Sequence, residues 1–388
     1  MTRQRGCRLP KCGLWAIIGI AALPGGWPVF AQSAPTLPVP SPAAPTPGAR
    51  SLRVAPGKLP DKLRRAWRFR TRGPITSSPV AEAGRVYVGS EDGFVYAVRL
   101  TDGRKVWSFK TGGSVEATPH LTGELVVIGS SDGNLYALDR VTGKLRWKFA
   151  TEGKILGGAN SAPRADGKGR TIAVGSYDNR VYGIDARTGR KVWAYETDNY
   201  VNGMPAISGN RVIIGGCDGT LHVIDLNTGK RLLGLPISDY IAGSTTVAGT
   251  RAYVGHYGNA VVCADVVSGE TVWTYRDRGF PYFSTPAVTG DRVILGGRDR
   301  RVHAIRRDDG KGLWLFRTGG KVDSSPTVCD GKVVIGSEDG NLYLLGLDDG
   351  KERWRYQVGS PVISSPYVID GTVLVGADDG YLYAFRGR

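Results

Sequence analysis

The chain has 388 residues, of which 56 are glycine and 22 are proline, and 41% of its residues are hydrophobic. This hydrophobic content excludes a disordered chain, and the lack of glycine at every third position excludes collagen. The formal net charge is +16, but residues 1–72 hold 13 Lys/Arg and one acid, which leaves 38 basic and 34 acidic residues for the rest. A folded part this close to neutral argues against a nucleic-acid groove, so we predict no nucleic-acid partner.

Residues 1–31 have the pattern of a secretory signal peptide. Four basic residues precede an apolar stretch at 13–23, and small residues before Gln32 are typical of signal-peptidase cleavage. The apolar stretch is too short to span a membrane. No cysteine follows it in a lipid-attachment motif. We therefore predict secretion to the periplasm without a lipid anchor, and retention of the segment as an uncleaved anchor is the alternative.

A proline-rich segment follows at residues 32–60 and contains eight prolines but few large apolar residues. Such a composition cannot build a core, so we predict a disordered, extended linker, with binding to a partner groove as the alternative. Next comes a basic run at residues 62–68. This run could lie against an anionic membrane or envelope polymer; the alternative is a solvated strand edge.

A unit of about 40 residues repeats eight times along the rest of the chain. Its clearest landmark is a Trp that follows an Asp/Thr-Gly turn, and one unit carries Leu233 at this position. Two more landmarks keep the same spacing: a Ser-Pro pair, and a Gly-Ser-x-Asp-Gly segment whose Asp-Gly permits a two-residue hairpin. The tryptophans are Trp67, Trp107, Trp147, Trp193, Trp273, Trp314 and Trp354.

Each unit supplies four short strands, which is the pattern of a propeller blade. In the second unit the predicted strands are 118–122, 125–130, 135–139 and 145–151. The last unit stops after its third strand, and Trp67 lies on a strand that has no three strands before it. For residues 61–388 we therefore predict an all-β, eight-bladed β-propeller of four-stranded antiparallel blades, closed by pairing of the N- and C-terminal strands. We expect this ring to be monomeric.

The motif Ala137-x-Asp139-x-x-Thr142-Gly143-x-x-x-Trp147 resembles the tryptophan-docking motif of the PQQ-like (quinoprotein-type) repeat family. The resemblance covers about residues 61–388 and implies that each Trp docks between neighbouring blades in a structural role. It also implies two functional classes. One class consists of dehydrogenases that hold PQQ and Ca²⁺ in the funnel of the ring. The other consists of non-enzymatic members of the BamB type, which use the ring as a docking platform.

Polar and aromatic side chains are predicted around the mouth of the central channel. Three residues before the landmark proline, or its substitute, the units carry polar residues in five cases and Ala242, Phe283 or Ile363 in the others. Carboxylates and amides there could bind a cation or a polar ligand, and the alternative is ordinary polar residues at a water-filled pore. An aromatic sector of Tyr200, Tyr240, Tyr282 and Phe283 could stack on a glycan ring or a partner side chain. The candidate ligand-binding residues are Glu116, Asn160, Asn202, Asp323 and Tyr282, beside Thr76 in the same layer.

We predict no catalytic residue and no metal site, because the four histidines occupy different strand positions and lack zinc spacing. The resemblance implies that a dehydrogenase would have two adjacent cysteines, but Cys217, Cys263 and Cys329 are far apart. We therefore expect a non-catalytic envelope scaffold of the BamB type without a cofactor. Its partners would be proteins, among them a component of outer-membrane barrel assembly. The alternatives are a periplasmic oxidoreductase dependent on PQQ and Ca²⁺, and a glycan-binding propeller.

Overall fold

A computed structural model describes residues 52–387, which form 33 β-strands in eight sheets. The predicted signal peptide, and the predicted linker as far as residue 51, lie outside these residues. Among residues 52–387 no helix is long and apolar enough to cross a membrane. The sheets confirm the predicted all-β, eight-bladed propeller.

Each blade is numbered by the order of its innermost strand. Blades 1 to 3 consist of β3 Val80–Glu82, β4 Arg85–Gly89, β5 Phe94–Arg99, β6 Lys105–Lys110; β7 His120–Thr122, β8 Leu125–Gly129, β9 Asn134–Asp139, β10 Leu145–Ala150; and β11 Asn160–Pro163, β12 Arg170–Gly175, β13 Arg180–Asp185, β14 Lys191–Glu196. Blades 4 to 6 consist of β15 Ala206–Ser208, β16 Arg211–Gly215, β17 Thr220–Asp225, β18 Arg231–Pro236; β19 Thr246–Ala248, β20 Arg251–His256, β21 Ala260–Asp265, β22 Thr271–Tyr275; and β23 Ala287–Val288, β24 Arg292–Gly297, β25 Arg301–Arg306, β26 Gly312–Arg317. Blade 7 consists of β27 Thr327–Cys329, β28 Lys332–Gly336, β29 Asn341–Gly346 and β30 Glu352–Gln357, joined by β1 Val54–Ala55; blade 8 consists of β31 Tyr367–Ile369, β32 Thr372–Gly376 and β33 Tyr381–Gly387, joined by β2 Leu63–Arg70.

Burial differs along the four strands of a blade. The two middle strands are almost entirely buried, whereas the outermost strand alternates between exposed and covered positions, as β9 and β10 show. Middle strands are covered on both faces by neighbouring blades and therefore read as continuous apolar runs. The core is divided into clusters between adjacent blades; Val127 and Leu135 of blade 2, for example, pack with Ile172 and Ile184 of blade 3.

The ring closes through blade 8, which takes its strands from both ends of the described chain. Strand β2 pairs antiparallel with β33, so that Trp67 lies opposite Ala384 and Arg70 lies opposite Tyr381. This pairing confirms the predicted closure. Four arginines of β2 point into solvent at the outer edge of blade 8, where charged side chains discourage pairing with other chains.

Neighbouring blades are joined by the repeated tryptophans. The Nε1–H of Trp107 donates to the carbonyl of Arg140 in blade 2 at 3.2 Å, and its indole lies against Gly143. A Cβ on Gly143 would lie 2.6 Å from Cδ2 of Trp107, so the close contact requires glycine there. The same hydrogen bond is made by Trp67, Trp147, Trp193, Trp273 and Trp314, at 2.8–3.1 Å. Trp354 instead packs edge-on against Phe385, at 5.6 Å between ring centroids.

A second set of contacts joins the blades around the channel. Ser77 Oγ donates to the carbonyl of Ala117 at 2.7 Å, and Ser324 Oγ donates to that of Ser364 at 3.0 Å. Ser364 Oγ donates to the carbonyl of Ser77 at 3.0 Å and thereby joins blade 8 to blade 1. These serines lie two residues before the landmark prolines. The serine hydroxyl of the Ser-x-Pro segment therefore joins neighbouring blades.

The residues before β2 pack on the ring, whereas we predicted a disordered linker up to residue 60. Strand β1 pairs in parallel with β27, whose channel side has no other partner. Arg53 donates to the carbonyls of Pro326 at 2.7 Å and Ser325 at 3.0 Å, and Leu59 is 1% exposed. Burial lowers the pKa of Arg53 to about 10, and the carbonyls compensate for the desolvation of its guanidinium. Residues 53–59 therefore contribute contacts to the ring, before the predicted start of the propeller at residue 61.

The docking of Trp on glycine can be tested with a matched pair of substitutions. Gly143 and Gly123 both have positive φ, +73° and +55°, but nothing lies within 4 Å of a Cβ on Gly123. We expect Gly143→Ala to lower the free energy of unfolding by about 1–3 kcal/mol more than Gly123→Ala, because only the former collides with an indole. Urea denaturation of both variants measures the difference. Equal losses would show that the ring tolerates separation of the indole from this turn.

Closure can be tested by truncating the N-terminal side of the chain. A chain that begins at Thr71 lacks β2, and we expect it to lose cooperative unfolding of the whole ring, because blade 8 would keep only three strands. A chain that begins at Pro56 lacks only β1 and is the control, expected to unfold in one transition at a modestly lower temperature. Calorimetry distinguishes the two. If the shorter chain melted like the intact protein, closure by β2 would not stabilise the ring.

Candidate functional site: the hairpin rim

One face of the ring combines the loops that lead into each innermost strand with the hairpins between the second and third strands. We call this face the hairpin rim. In every blade the third residue of the hairpin segment Gly-Ser-x-Asp-Gly, or its equivalent, donates its backbone N–H to a carbonyl of the loop that leads into the same blade, at 2.8–3.1 Å. These bonds hold eight side chains at fixed positions around the rim. They belong to Glu91, Ser131, Tyr177, Cys217, Tyr257, Arg298, Glu338 and Asp378.

Three predicted channel residues lie in the loops of this rim, each held by a neighbour. Glu116 accepts a hydrogen bond from Ser114 Oγ at 3.0 Å. Asn202 donates to the carbonyl of Ala242 in the next loop at 3.3 Å. Both carboxylate oxygens of Asp323 are bound by Arg298, at 3.0 and 2.6 Å. Among residues 52–387, neither Glu116 nor Asp323 belongs to a group of three potential metal ligands.

Asn160 does not occupy the layer to which the sequence assigned it. The prediction aligned Pro163 with the landmark proline. However, the backbone N–H of Ile155 donates to the carbonyl of Ser130, and the equivalent bond one blade earlier runs from Val115 to Ser90. The residue equivalent to Glu116 is therefore Leu156. Asn160 instead begins β11 and donates to the carbonyl of Pro205 at 3.1 Å. The connection between β11 and β12 is longer than in the other blades, and the sequence alignment therefore matched Pro163, at the end of β11, to the landmark proline.

Tyr282 belongs to the core and does not line the channel. It is 1% exposed and packs with Tyr253 and Trp273 in the cluster between blades 5 and 6. Its register position, four residues before the landmark proline, is held by fully buried Val or Ile in the other blades, as at Val115. Burial raises the pKa of the Tyr282 hydroxyl above its usual value.

Aromatic rings cover one side of the hairpin rim. Tyr177 and Tyr200 stack with centroids 5.0 Å apart and planes at 16°, and Tyr257 packs against Phe283 at 4.6 Å and Tyr240 at 6.2 Å. All five side chains are half-buried. We call them the aromatic belt. The sequence pointed to Tyr200, Tyr240 and Phe283, but missed Tyr177 and Tyr257, because they fill the variable position of a segment interpreted as a turn.

The other side of the rim is charged. The hairpins of blades 7, 8 and 1 present Glu338, Asp378 and Glu91 in succession. Burial, and then the nearby Asp323, raise the pKa of Glu338. Arg298 separates this acidic side from the aromatic belt: its guanidinium pairs with Asp323 and stacks on Phe283, 3.7 Å from the ring centroid. The rim therefore has an aromatic half and an acidic half.

The residues of the rim do not fit PQQ with Ca²⁺. A hard cation needs several converging oxygens, but Arg298 already binds both oxygens of Asp323, and the layer also contains Leu156, Ala242 and Ile363. Inside the ring, Leu52 packs against the core cluster between blades 5 and 6, and β1 pairs with the innermost strand of blade 7. We derive no quinone chemistry from this arrangement.

The family profile described as outer membrane protein assembly factor BamB, a PQQ-repeat family, matches residues 62–232, 237–321 and 298–388. No curated protein matches the chain. The crystal structure of BamB from Moraxella catarrhalis superposes with a TM-score of 0.71 at 23% identity and covers 84% of this chain and 98% of that chain.

Two other solved structures share the fold. The computationally designed Ika8 protein gives a TM-score of 0.72 at 18% identity, covering 83% of this chain and 99% of its own. The quinohemoprotein alcohol dehydrogenase ADHIIG from Pseudomonas putida HK5 gives 0.73 at 14% identity, covering 86% and 78%. An assembly factor, a designed protein and an enzyme thus share one ring, so these likenesses establish the fold alone. The family match, which extends over most of residues 62–388, shows that the chain belongs to the PQQ-repeat propeller family described as outer membrane protein assembly factor BamB.

Proposed function

We propose that this protein is a non-catalytic scaffold of the bacterial envelope, which binds a protein partner through the aromatic belt of its hairpin rim. The belt carries the proposal. Rigid aromatic side chains offer large contact areas at small entropic cost, and Tyr, Trp and Arg are the residues enriched in binding hot spots. The half-buried rings of Tyr177, Tyr200, Tyr240, Tyr257 and Phe283 provide such a surface.

The chemistry around the belt suits a protein surface with apolar and basic side chains. Arg298 lies at the border of the belt, where Asp323 and Phe283 hold its guanidinium in one orientation. Beyond it lies Glu338 of the acidic half. A partner that inserts apolar side chains between the tyrosines would place a basic residue against this carboxylate, which would fix its orientation on the rim.

The family and the N-terminal sequence favour a partner at the outer membrane. BamB from Moraxella catarrhalis, an assembly factor by the family description, has the same fold. The signal-like sequence of residues 1–31 supports secretion to the periplasm. The exposed arginines of β2 favour contact with an anionic surface. We propose that the partner is a β-barrel component of the outer-membrane assembly machinery.

The experiment measures binding of the secreted chain to the purified barrel-assembly component by surface plasmon resonance. Serine occupies the hairpin position in blade 2, at Ser131, so Tyr177→Ser and Tyr257→Ser introduce a residue that the repeat already uses. We expect each variant to weaken binding by about tenfold or more, as loss of an interface hot spot does. The matched control is Asp378→Ser at the same position on the acidic half, expected to change the dissociation constant by less than about threefold.

Four outcomes would contradict this proposal. The absence of binding would rule out the proposed partner, and equal weakening by Asp378→Ser would rule out the aromatic belt as the principal surface. Retention of quinone absorbance after desalting from PQQ and Ca²⁺, with dye reduction by alcohols, would show an oxidoreductase. Binding to a glycan array that Tyr257→Ser abolishes would assign the belt to carbohydrate.

A further inference from the structure

The repeat provides an internal reference for one unusual cluster, at the hairpin of blade 6. In each of seven blades the Asp of the hairpin pairs with the side chain four residues later. The partner is Tyr in five blades, with distances of 2.5–2.7 Å, and His in blades 4 and 6, at 3.0 and 3.1 Å. His222 and His303 therefore occupy the same strand position, whereas we predicted different positions for the four histidines. The Asp–His pair of blade 6, Asp299 with His303, differs from the others in two further respects.

The first difference is a carboxylate oxygen without a hydrogen bond. In five blades the hairpin Asp also accepts a backbone N–H from the loop that leads into its own blade, as Asp218 does from Asp198 at 3.3 Å. Asp299 in blade 6 and Asp379 in blade 8 lack this bond, but Oδ2 of Asp379 accepts the hydroxyl of Tyr383. Oδ2 of Asp299 has no hydrogen-bond partner, and its side chain is only 2% exposed. A buried carboxylate oxygen without a hydrogen bond is costly unless a ligand satisfies it.

The second difference is an additional carboxylate beside that oxygen. After the outermost strand, five blades have a Thr whose hydroxyl bonds loop or hairpin carbonyls, but Asp277 takes this position after β22. Ligand atoms of Asp277, Asp299 and His303 all lie within 4.8 Å of one another, the one such group among residues 52–387. Two departures from the repeat therefore meet at one point.

The imidazole of His303 is held in the orientation of a metal ligand. Its Nδ1 lies 3.2 Å from the hydroxyl of Tyr275, and the ring of Tyr282 packs edge-on at 5.2 Å. His303 is fully buried, so its Nε2 can face only the carboxylates. With the proton on Nδ1 donated to Tyr275, Nε2 presents its lone pair to the cluster, as in metal sites oriented by a second hydrogen bond.

Arg301 balances the negative charge of this cluster. Its Nη1 lies 3.1 Å from Asp277, and its Nε lies 3.9 Å from Asp299 Oδ2. At this distance Arg301 forms an ion pair with Asp299 Oδ2 but no hydrogen bond, so that oxygen can still accept a ligand. Its side chain is 20% exposed and Asp277 is 27% exposed, which gives both of them access to water on one side.

We propose that Asp277, Asp299 and His303 bind a divalent transition-metal ion of the zinc class, with water completing the coordination. One imidazole and two carboxylates suit Zn²⁺ better than Ca²⁺ or Mg²⁺, which prefer oxygen ligands alone. Bonds of about 2.0–2.2 Å bring ligand atoms to within about 4.4 Å of one another, so the partly exposed Asp277 rotates inward to bind the ion. Arg301 then turns towards solvent.

The test is calorimetric titration of the secreted, tag-free chain with Zn²⁺. We expect one ion per chain, and a loss of affinity of about tenfold or more in Asp277→Thr, which restores the residue of the repeat. His303→Gln should show the same loss. Arg301→Gln should bind Zn²⁺ several-fold more tightly, because the competing cation is removed. The matched control is His222→Gln, which alters the Asp–His pair of blade 4, where Asp218 is fully paired, and should leave binding unchanged.

Spectroscopy with Co²⁺ separates this site from the cysteines. A site of imidazole and carboxylates gives weak visible bands without thiolate-to-metal charge transfer, and these bands should be absent in Asp277→Thr. The proposal is overturned if the chain binds no Zn²⁺, if Asp277→Thr binds as tightly as the unmodified chain, or if His222→Gln is equally impaired. Because Asp277→Thr introduces the residue that five blades carry, a failure to fold is not expected to obscure the result.

Discussion

The docking of each blade on the next is the constraint from which the rest of the structure follows. A four-stranded blade cannot bury both of its faces alone, so its stability depends on its neighbours. The outermost strand supplies an indole, and the following blade supplies a carbonyl and a glycine without a Cβ, as Trp107 shows with Arg140 and Gly143. Where Leu233 replaces Trp, it packs in the cluster between blades 4 and 5 but cannot donate the hydrogen bond. Because this contact repeats from blade to blade, it determines the spacing of the units along the chain and the closure of the ring.

The fold could be predicted from the sequence because the docking contact needs fixed residue types at fixed spacing. The site was predictable only in part. An insertion between β11 and β12 placed Pro163 near the expected position of the landmark, and the alignment then selected Asn160 instead of Leu156. Tyr282 was misplaced for another reason: a core position that is Val or Ile elsewhere happens to carry a large aromatic ring. Strand β1 has no local signal at all, because its stabilisation comes from distant carbonyls that receive Arg53.

Side chains that do not take part in docking are free to differ between blades, and function is expected among them. The hairpin position illustrates this freedom: its backbone N–H makes the same bond in every blade, while its side chain varies from Ser131 to Tyr177, Arg298 and Glu338. The backbone bond fixes where each side chain stands, so that a change of residue alters the surface without altering the ring. The similarity to both an assembly factor and an alcohol dehydrogenase agrees with this separation of fold from chemistry.

A repeat protein also shows which deviations require an explanation. Asp218 and Asp299 both pair with His, but only Asp218 keeps the N–H of the preceding loop, and only Asp299 has a second carboxylate nearby. Each substitution taken alone would be an ordinary variation of a hairpin. Together they leave a buried oxygen without a hydrogen bond beside two potential ligands, an arrangement that costs stability unless something binds there. Comparison of blade 6 with the other seven blades therefore isolates a candidate binding site. A search for spacing motifs in the sequence does not detect this site, because its ligands come from two blades.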